Sequence, residues 1–381
     1  MSMLPIAQIK LGDCLSKDVS SELGGIIMPK GRVLTERDIE VLDAFMIKHV
    51  YVNSKKRIES AKPAPAKTPV SKDQQTKPAE QLLEMDTAEL DTKTPSIDQP
   101  FHLAWTELAK LMSQVLNMAR ANQVPTMEMR KLLRPLMEQI KEYKPLAVQI
   151  YIKEIDQDLS TNFLIHKSIA VALTTYLIGH WNGCSEKEGM QIALAGLLHD
   201  IGKVKVDEDV LRKKESLTEV EQTEVRRHTL YGYEILRSAN MITEGVKLAA
   251  LQHHERLDGS GYPLRIMSDQ IHPYAKMVAI ADMFHAMTQN RSYRKAASPY
   301  VVLEQLHRQA FGKLDPQMVQ VFIQKLTLLT QGTIVQLNDG RTGEIVFIDS
   351  IYPTRPWVSV EGTIIRLAEE RQLHIEKVIS E

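Results

Sequence analysis

The sequence predicts a mainly α-helical protein with a small α+β module at its N-terminus and a small β module at its C-terminus. Apolar residues recur with a helical period through residues 100–330, and no alternating strand pattern interrupts them. On either side, the pattern changes to short apolar or β-branched runs that are separated by turn residues. The length of 381 residues agrees with two or three domains, at roughly 100–200 residues each.

The first predicted unit is an α+β module over residues 1–54. Thr35 begins the sequence Thr-Glu-Arg-Asp, a capping-box-like helix start that places Ile39 and Leu42 on one face. Short strands bounded by Gly and Asp turns surround this helix. The predicted strands are Ile6–Ile9, Cys14–Val19, Gly25–Met28 and Lys48–Val52.

A flexible linker is predicted over residues 55–99. This segment has five prolines and no aromatic residue, and it is rich in Lys, Thr, Gln and Ala. Such a composition buries too little apolar area to offset the entropy lost on ordering.

The central domain, residues 100–330, is predicted to be entirely helical. Residues 191–198 are almost all apolar, which predicts a buried helix there. Two further helices are predicted over 127–143 and 147–156. The first helix of the domain is expected to present one apolar face, made by Leu103, Leu108, Leu111, Val115 and Met118.

The last module, residues 331–381, is predicted to be a small β-barrel or an open sheet. Turn residues such as Asn338-Asp339-Gly340 separate its strands. The predicted strands are Thr333–Leu337, Gly343–Asp349, Trp357–Val360, Ile364–Leu367 and Leu373–Val378.

Charge and cysteine content exclude several classes of protein. The 47 basic and 48 acidic side chains give a net charge of −1, so we expect no nucleic acid polymer as partner. Cys14 and Cys184 are too far apart in sequence to suggest a disulfide framework or a zinc motif. We find no signal-peptide pattern and no apolar run of about 18 residues, and therefore expect a cytoplasmic protein without a membrane span.

The histidines carry the strongest functional signal. Eight of the twelve fall between His166 and His285, and several lie beside carboxylates. Imidazole and carboxylate are ligands that suit Mn, Fe, Zn and Ni, and a carboxylate can bridge two ions. An unpaired Asp within an apolar run would be costly to bury, which also favours a metal site. The residues concerned are His166, His199, Asp200, His228, His253, His254 and Asp282.

Two motifs connect these residues to a known family. His199-Asp200-Ile201-Gly202-Lys203 resembles the signature of the HD phosphohydrolase superfamily, whose central domain is an HD-type helical fold. The run from His253 to Pro263, HHERLDGSGYP, resembles the signature of the HD-GYP branch. The similarity extends from about Tyr151 to Phe322.

The resemblance implies a bacterial cyclic di-GMP phosphodiesterase that acts in second-messenger signalling and forms pGpG and, in many members, GMP. It implies two divalent ions, with Fe and Mn fitting equally well. One ion would take His166, His199, Asp200 and Asp282, and the other Asp200, His228, His253 and His254. Two ions about 3.5–4 Å apart would produce a bridging hydroxide that attacks phosphorus.

Substrate contacts are also implied by position. Asp200 and Lys203 are expected to be catalytic, with Lys203 reaching the scissile phosphate. Arg291 and Arg294 match family positions that hold phosphates, for which the guanidinium fork is suited. At the loop that contains Gly261-Tyr262-Pro263, called the GYP loop, Gly261 permits close approach of a ligand and Tyr262 stacks on guanine or packs.

Some positions depart from the family pattern. Asn162 replaces a glutamate that helps to hold a third metal in some members, His285 replaces an aspartate, and the segment after Pro263 lacks the usual glycines. Two alternatives therefore stay open: a sensor or scaffold that binds cyclic di-GMP without useful turnover, and a phosphohydrolase for another cyclic dinucleotide. Protein partners through the terminal modules or the GYP loop, and a homodimer, are further expectations.

Overall fold

The computed structural model describes most of the chain outside the predicted linker. The described ranges are 2–20, 26–28, 30–34, 49–52, 99–141, 163–213, 215–288, 297–328 and 331–380, with a few single positions besides. They belong to two compact units, Met1–Lys93 and Thr94–Glu381. Residues 53–98 and the predicted helix 147–156 lie outside the described residues, as does most of the helix predicted from Thr35.

The N-terminal unit contains two antiparallel strand pairs. Strand β1 (Ser2–Pro5) pairs with β4 (His49–Val52), and β2 (Val19–Ser20) pairs with β3 (Ile26–Met28). The predicted strand Ile6–Ile9 is wrong, because residues Ile6–Gln8 form a 3₁₀ turn and the strand precedes them. Pro5 has no N–H to continue a ladder, so the strand ends there.

Eleven helices are described in the second unit. Among the described residues, no helix is both long and apolar enough to cross a membrane. The helices are α1 (Gln99–Ala119), α2 (Thr126–Gln139), α3 (Phe163–Trp181), α4 (Glu186–Leu198), α5 (Glu208–Arg212), α6 (Glu219–Arg226), α7 (His228–Arg237), α8 (Glu244–Gln252), α9 (Pro273–Thr288), α10 (Pro299–Gln309) and α11 (Pro316–Leu328).

Helix α1 buries a face that overlaps the predicted one only in part, through Leu108 and Val115. Leu103 is 63% exposed and Met118 is 37% exposed, so neither belongs to the core. Trp105 lies on the buried face, where its indole N–H finds an acceptor in the core. The helical period is present, but it is set by Phe101, Trp105, Leu108, Met112, Val115 and Ala119.

The core of the helical region lies between α3, α4 and α9. The segment Ile192–Leu198 is entirely buried, as its apolar run predicts. At Gly196 an added Cβ would lie 2.7 Å from the Cα of Ala172, so glycine is required for the close contact of α4 with α3. This contact fixes the C-terminal end of α4, which carries His199 and Asp200.

The C-terminal module is a five-stranded antiparallel sheet and not a closed barrel. The strands lie in the order β8-β7-β6-β5-β9, and no pairing between the edge strands β8 and β9 occurs among the described residues. The strands are β5 (Ile334–Leu337), β6 (Thr342–Phe347), β7 (Trp357–Val360), β8 (Thr363–Arg366) and β9 (Ile375–Ser380). Each lies within about two residues of its predicted bounds.

Helix α10 attaches the sheet to the helical region. Tyr300, 2% exposed, belongs to the sheet's own apolar core with residues such as Val335 and Val358. Arg355 forms a two-pronged ion pair with Glu304, with Nε 2.8 Å from Oε1 and an Nη donating to Oε2 at 3.3 Å. The sheet is thus packed on α10 through both apolar and charged contacts.

Candidate metal centre

The proposed metal ligands come from the ends of several helices. His199 and Asp200 directly follow α4, His228 begins α7, and His253 and His254 directly follow α8. Asp282 lies within α9, on the side that faces His199. Ligand atoms of two groups of these side chains lie within 4.8 Å of one another. The groups are Asp200, His228, His253 and His254, and His199, Asp200 and Asp282.

Gly202 explains part of the HD motif. It lies in a 3₁₀ turn, Ile201–Lys205, that packs against the start of α7. A Cβ at Gly202 would collide with the carbonyl oxygen of His228 and the backbone nitrogen of Gly232. Glycine therefore allows His228 to approach the His199-Asp200 pair.

The first group has the proton arrangement of a metal site. The Nδ1 atoms of His228 and His253 donate to backbone carbonyls, at 2.7 Å for Val225 and at 3.1 Å for Ala249. The Nε2 atoms then carry lone pairs, yet they lie only 3.4 Å apart. Asp200 Oδ1 lies 3.3 Å from the Nε2 of His228, and no residue among those described donates a hydrogen bond to it. Three electron-rich atoms thus converge, which fits a bound cation.

His254 completes this group from the side of the GYP loop. Its ring centroid lies 4.1 Å from that of His253 and 5.2 Å from that of His228. Burial holds the pKa values of His253 and His254 well below their usual range and lowers that of His228 to about 4. All three imidazoles are therefore neutral at pH 7, the form in which imidazole binds metal ions.

Two lysine ammonium groups lie beside the carboxylates of the second group. Lys167 Nζ lies 2.5 Å from Asp282 Oδ1 and 3.2 Å from Asp200 Oδ2. Lys203 Nζ lies 2.7 Å from the same oxygen of Asp200. His199 Nε2 lies 3.1 Å from Asp200 Oδ2 and 3.4 Å from Asp282 Oδ1. The two carboxylates thus face two lysines as well as His199.

The carboxylates are ionised despite their burial. For Asp200, burial raises the pKa, but the charges of Lys203, His199 and Lys167 outweigh it and hold the pKa well below its usual range. For Asp282, burial acts in the same direction, and Lys167 and His199 outweigh it. The pKa of His199 rises to about 9, because Asp200 and Asp282 outweigh the effect of burial.

His166 is oriented differently from the other histidines. Its Nδ1 lies 2.9 Å from the indole nitrogen of Trp105, with the two rings nearly parallel. Because an indole nitrogen only donates, His166 Nδ1 accepts. His166 does not belong to either group of converging ligand atoms in the described part of the chain.

The GYP loop folds back on the two adjacent histidines. Glu255 accepts hydrogen bonds from the backbone nitrogens of Leu264 at 2.6 Å and Arg265 at 3.1 Å. An added Cβ at Gly261 would lie 2.5 Å from the carbonyl oxygen of His254, so this glycine permits the loop to pack against its own start. The glutamate and the glycine of the motif both position the loop.

Tyr262 lies at the edge of the histidine cluster. Its ring stacks on that of His254, with centroids 4.6 Å apart at an angle of 22°. The guanidinium of the exposed Arg226 lies 5.2 Å from the centroid of the Tyr262 ring. Sequence analysis missed Arg226, since it belongs to no motif. Arg291 and Arg294 lie outside the described residues.

Lys167 and Trp105 were also missed by sequence analysis. A signal for Lys167 was present, because it is the only Lys, Arg, Asp or Glu in the 19 residues of α3. Trp105 gave no signal, because a tryptophan on the apolar face of a helix is typical of a core residue.

His285 is a core residue and not part of an open pocket. It is fully buried, and its Nε2 lies 2.7 Å from the hydroxyl of Thr174 on α3. Burial, together with the charge of Lys167, lowers its pKa to about 3. The departure from the family aspartate therefore places a neutral group beside α3.

A buried cluster of histidines and aspartates on converging helix ends is suited to hold a divalent metal ion. Residues 158–318 match the HD domain family. The similarity to this family covers that part of the chain, and the HD-GYP motifs within it fit the relatives described next.

Three curated relatives illustrate the similarity. A cyclic di-GMP phosphodiesterase of Pseudomonas aeruginosa is 26% identical over 91% of this chain and 81% of that protein. The cyclic di-GMP phosphodiesterase response regulator RpfG of Xanthomonas campestris pv. campestris is 38% identical over 41% of each chain. The 3'3'-cGAMP-specific phosphodiesterase 2 of Vibrio cholerae is 36% identical over 40% of this chain and 30% of that protein. The chain thus spans less than half of the last two relatives.

Proposed function

We propose that this protein is a metal-dependent phosphodiesterase that hydrolyses cyclic di-GMP to pGpG. The observation that carries the proposal is the convergence of the Nε2 atoms of His228 and His253 on Asp200 Oδ1. A divalent ion held by Asp200, His228, His253 and His254 would supply a Lewis acid and lower the pKa of a bound water.

The chain's own residues then bind and orient the substrate. Lys203 donates to Asp200 Oδ2 at 2.7 Å and is partly exposed, so its remaining N–H groups are available to a phosphate oxygen. Arg226 supplies a second positive charge beside Tyr262, at the edge of the cluster. These two cations would attract a phosphodiester and stabilise the charge that develops during hydrolysis.

Tyr262 and the GYP loop form one wall of this substrate site. The ring of Tyr262 is fixed by its stacking on His254, and the loop is held by Glu255. A fixed aromatic ring beside a phosphate site is suited to contact a nucleobase. The proposed roles of Gly261, Arg291 and Arg294 in substrate binding stay predictions, as do protein partners, a homodimer and a cytoplasmic location.

The choice of cyclic di-GMP is supported by the relative from Pseudomonas aeruginosa, which matches over 91% of this chain. A second candidate substrate is 3'3'-cGAMP, because the Vibrio cholerae relative specific for it is 36% identical over 155 residues. The two substrates differ in one base, so the same metal centre would serve either.

A substrate panel tests the proposal. Purified protein is incubated with cyclic di-GMP, 3'3'-cGAMP or cyclic di-AMP in the presence of Mn²⁺ or Fe²⁺, and products are separated chromatographically. We expect pGpG from cyclic di-GMP, and no product with His254→Ala. The matched control His180→Ala changes an exposed histidine on α3 and should retain activity. Binding of cyclic di-GMP without product would favour the sensor alternative, and preferred cleavage of 3'3'-cGAMP would reassign the substrate.

A further inference from the structure

Lys167 places a positive charge on two of the four residues that the family resemblance assigns to one metal ion. Its ammonium contacts Asp282 Oδ1 and Asp200 Oδ2, at 2.5 and 3.2 Å. These are the same two oxygens that face His199 Nε2. Metal–oxygen bonds measure about 2.0–2.2 Å, so an ion bound by these atoms would compete with the ammonium for the same two oxygens.

The surroundings of Lys167 hold its side chain in this position. The side chain is 6% exposed and lies in the interface of α3 with α4 and α9, the most extensive helix contacts of the core. A buried ammonium requires nearby negative charge, and Asp200 and Asp282 supply it. A metal ion that took these carboxylates would leave the ammonium buried beside a second cation.

His166 gives an independent observation that points the same way. His228 and His253 each donate from Nδ1 to a backbone carbonyl, which leaves Nε2 as a ligand atom. His166 instead accepts at Nδ1 from Trp105, so the neutral ring carries its proton on Nε2. In this tautomer neither nitrogen has a lone pair for a metal ion.

We propose that the ammonium of Lys167 replaces one metal ion, so that the chain binds a single divalent ion through Asp200, His228, His253 and His254. This inference rests on the proposed metal dependence and departs from the two ions implied by the resemblance. Charge supports it: Asp200 and Asp282 are already balanced by Lys167 and Lys203. Two divalent ions would bring four further positive charges to a centre that has no other carboxylate contact among the described groups.

The ion count of the wild-type protein tests this proposal directly. Anaerobically purified protein is loaded with excess Mn²⁺ and desalted, and its metal content is measured by elemental analysis. The electron paramagnetic resonance spectrum of the bound Mn²⁺ is then recorded. We expect one ion per chain and the six-line spectrum of an isolated Mn²⁺. Two ions about 3.5–4 Å apart would couple and broaden that spectrum. Two ions per chain, or none, would overturn the inference.

Variants test the role of the two residues. The double variant Trp105→Phe/Lys167→Ser removes the indole donor and the ammonium, and we expect it to bind two ions with a coupled spectrum. Lys167→Arg retains the charge and should bind one ion. Lys187→Ser, which changes an exposed lysine on α4, is the matched control and should also bind one ion. A folded double variant that still binds one ion would contradict the role of Lys167.

Failure of this inference is distinguishable from failure of the proposed function. Two ions with hydrolysis of cyclic di-GMP would overturn the inference and leave the function intact. One ion without hydrolysis would leave the inference intact and overturn the proposed function. A wild-type protein that binds no ion would overturn both.

Discussion

The Nε2 atoms of His228 and His253 lie 3.4 Å apart, although the Nδ1–H of each ring donates a hydrogen bond to a backbone carbonyl. Two lone pairs directed at each other beside a carboxylate oxygen are unfavourable without a cation. The backbone carbonyls, by accepting these hydrogen bonds, thus direct both Nε2 lone pairs toward a site for a metal ion.

Metal binding should therefore stabilise the fold through these histidines. An ion present at 100 times its Kd adds about 2.7 kcal/mol to the free energy of unfolding. We expect Mn²⁺ to raise the Tm of the wild-type protein and to have no such effect on His253→Ala. His180→Ala should respond like the wild type. A metal-dependent Tm increase in His253→Ala would contradict the ligand assignment.

The metal-free protein should be most stable near pH 6.5. Burial lowers the folded-state pKa of His228 to about 4 and that of His285 to about 3, so stability falls as acid charges these groups in the unfolded chain. Asp200 raises the pKa of His199 to about 9 against the effect of burial, so that its stabilisation is lost as pH rises through 9. Urea unfolding in the presence of a chelator, between pH 5 and 10, measures the loss of stability in acid and the loss in alkali.

A variant separates the loss of stability in acid from the loss of stability in alkali. His285→Gln removes one buried imidazole but keeps a polar group that can bond to Thr174. It should reduce the slope of the free energy of unfolding against pH between pH 6.5 and 5. The loss of stability in alkali should stay unchanged. An unchanged acid slope would mean that His285 takes up no proton on unfolding in this range.

Gly202→Ala should destabilise the protein and separate His228 from Asp200. The new Cβ would collide with backbone atoms of α7, and overpacking of this kind costs roughly 1–3 kcal/mol. Gly232→Ala is the matched control, since its Cβ would meet its nearest neighbour, the Cβ of Ala250, at 3.4 Å, and it should be neutral or slightly stabilising. Equal Tm values for the two variants would argue against the close contact at Gly202.

Tyr300→Ala should weaken the attachment of the C-terminal sheet to α10. Truncation of a fully buried aromatic side chain costs about 3–5 kcal/mol. We expect lower stability and earlier proteolysis within residues 331–380, while metal content is unchanged. Tyr352→Ala, at an exposed position of the same module, is the control. Equal protease resistance of the two variants would contradict the packing described for Tyr300.

Sequence patterns predicted the parts of the structure that depend on local periodicity and motif spacing. The run Ile192–Leu198 is buried as expected, and the five C-terminal strands lie close to their predicted bounds. The face of α1 was predicted only in part, because an exposed Leu103 and a buried Phe101 both satisfy a helical period. Periodicity alone does not say which of two overlapping apolar faces meets the core.

The motifs proposed residues for the candidate site but gave no information on many of their contacts. The motifs brought together Asp200, His228, His253 and His254. They carried no information on the hydrogen bond from Trp105 to His166, which joins residues 61 positions apart. The same holds for Lys167, whose partners Asp200 and Asp282 come from other elements of the fold.

The central claim is that hydrolysis of cyclic di-GMP depends on an ion held by this histidine cluster. The most direct measurement compares turnover of cyclic di-GMP by chelator-treated protein before and after Mn²⁺ or Fe²⁺ is restored, with Asp200→Ala treated in parallel. We predict no pGpG before restoration, pGpG after it, and none from Asp200→Ala under either condition. Equal turnover before and after restoration, or turnover by Asp200→Ala that matches the wild type, would contradict the account.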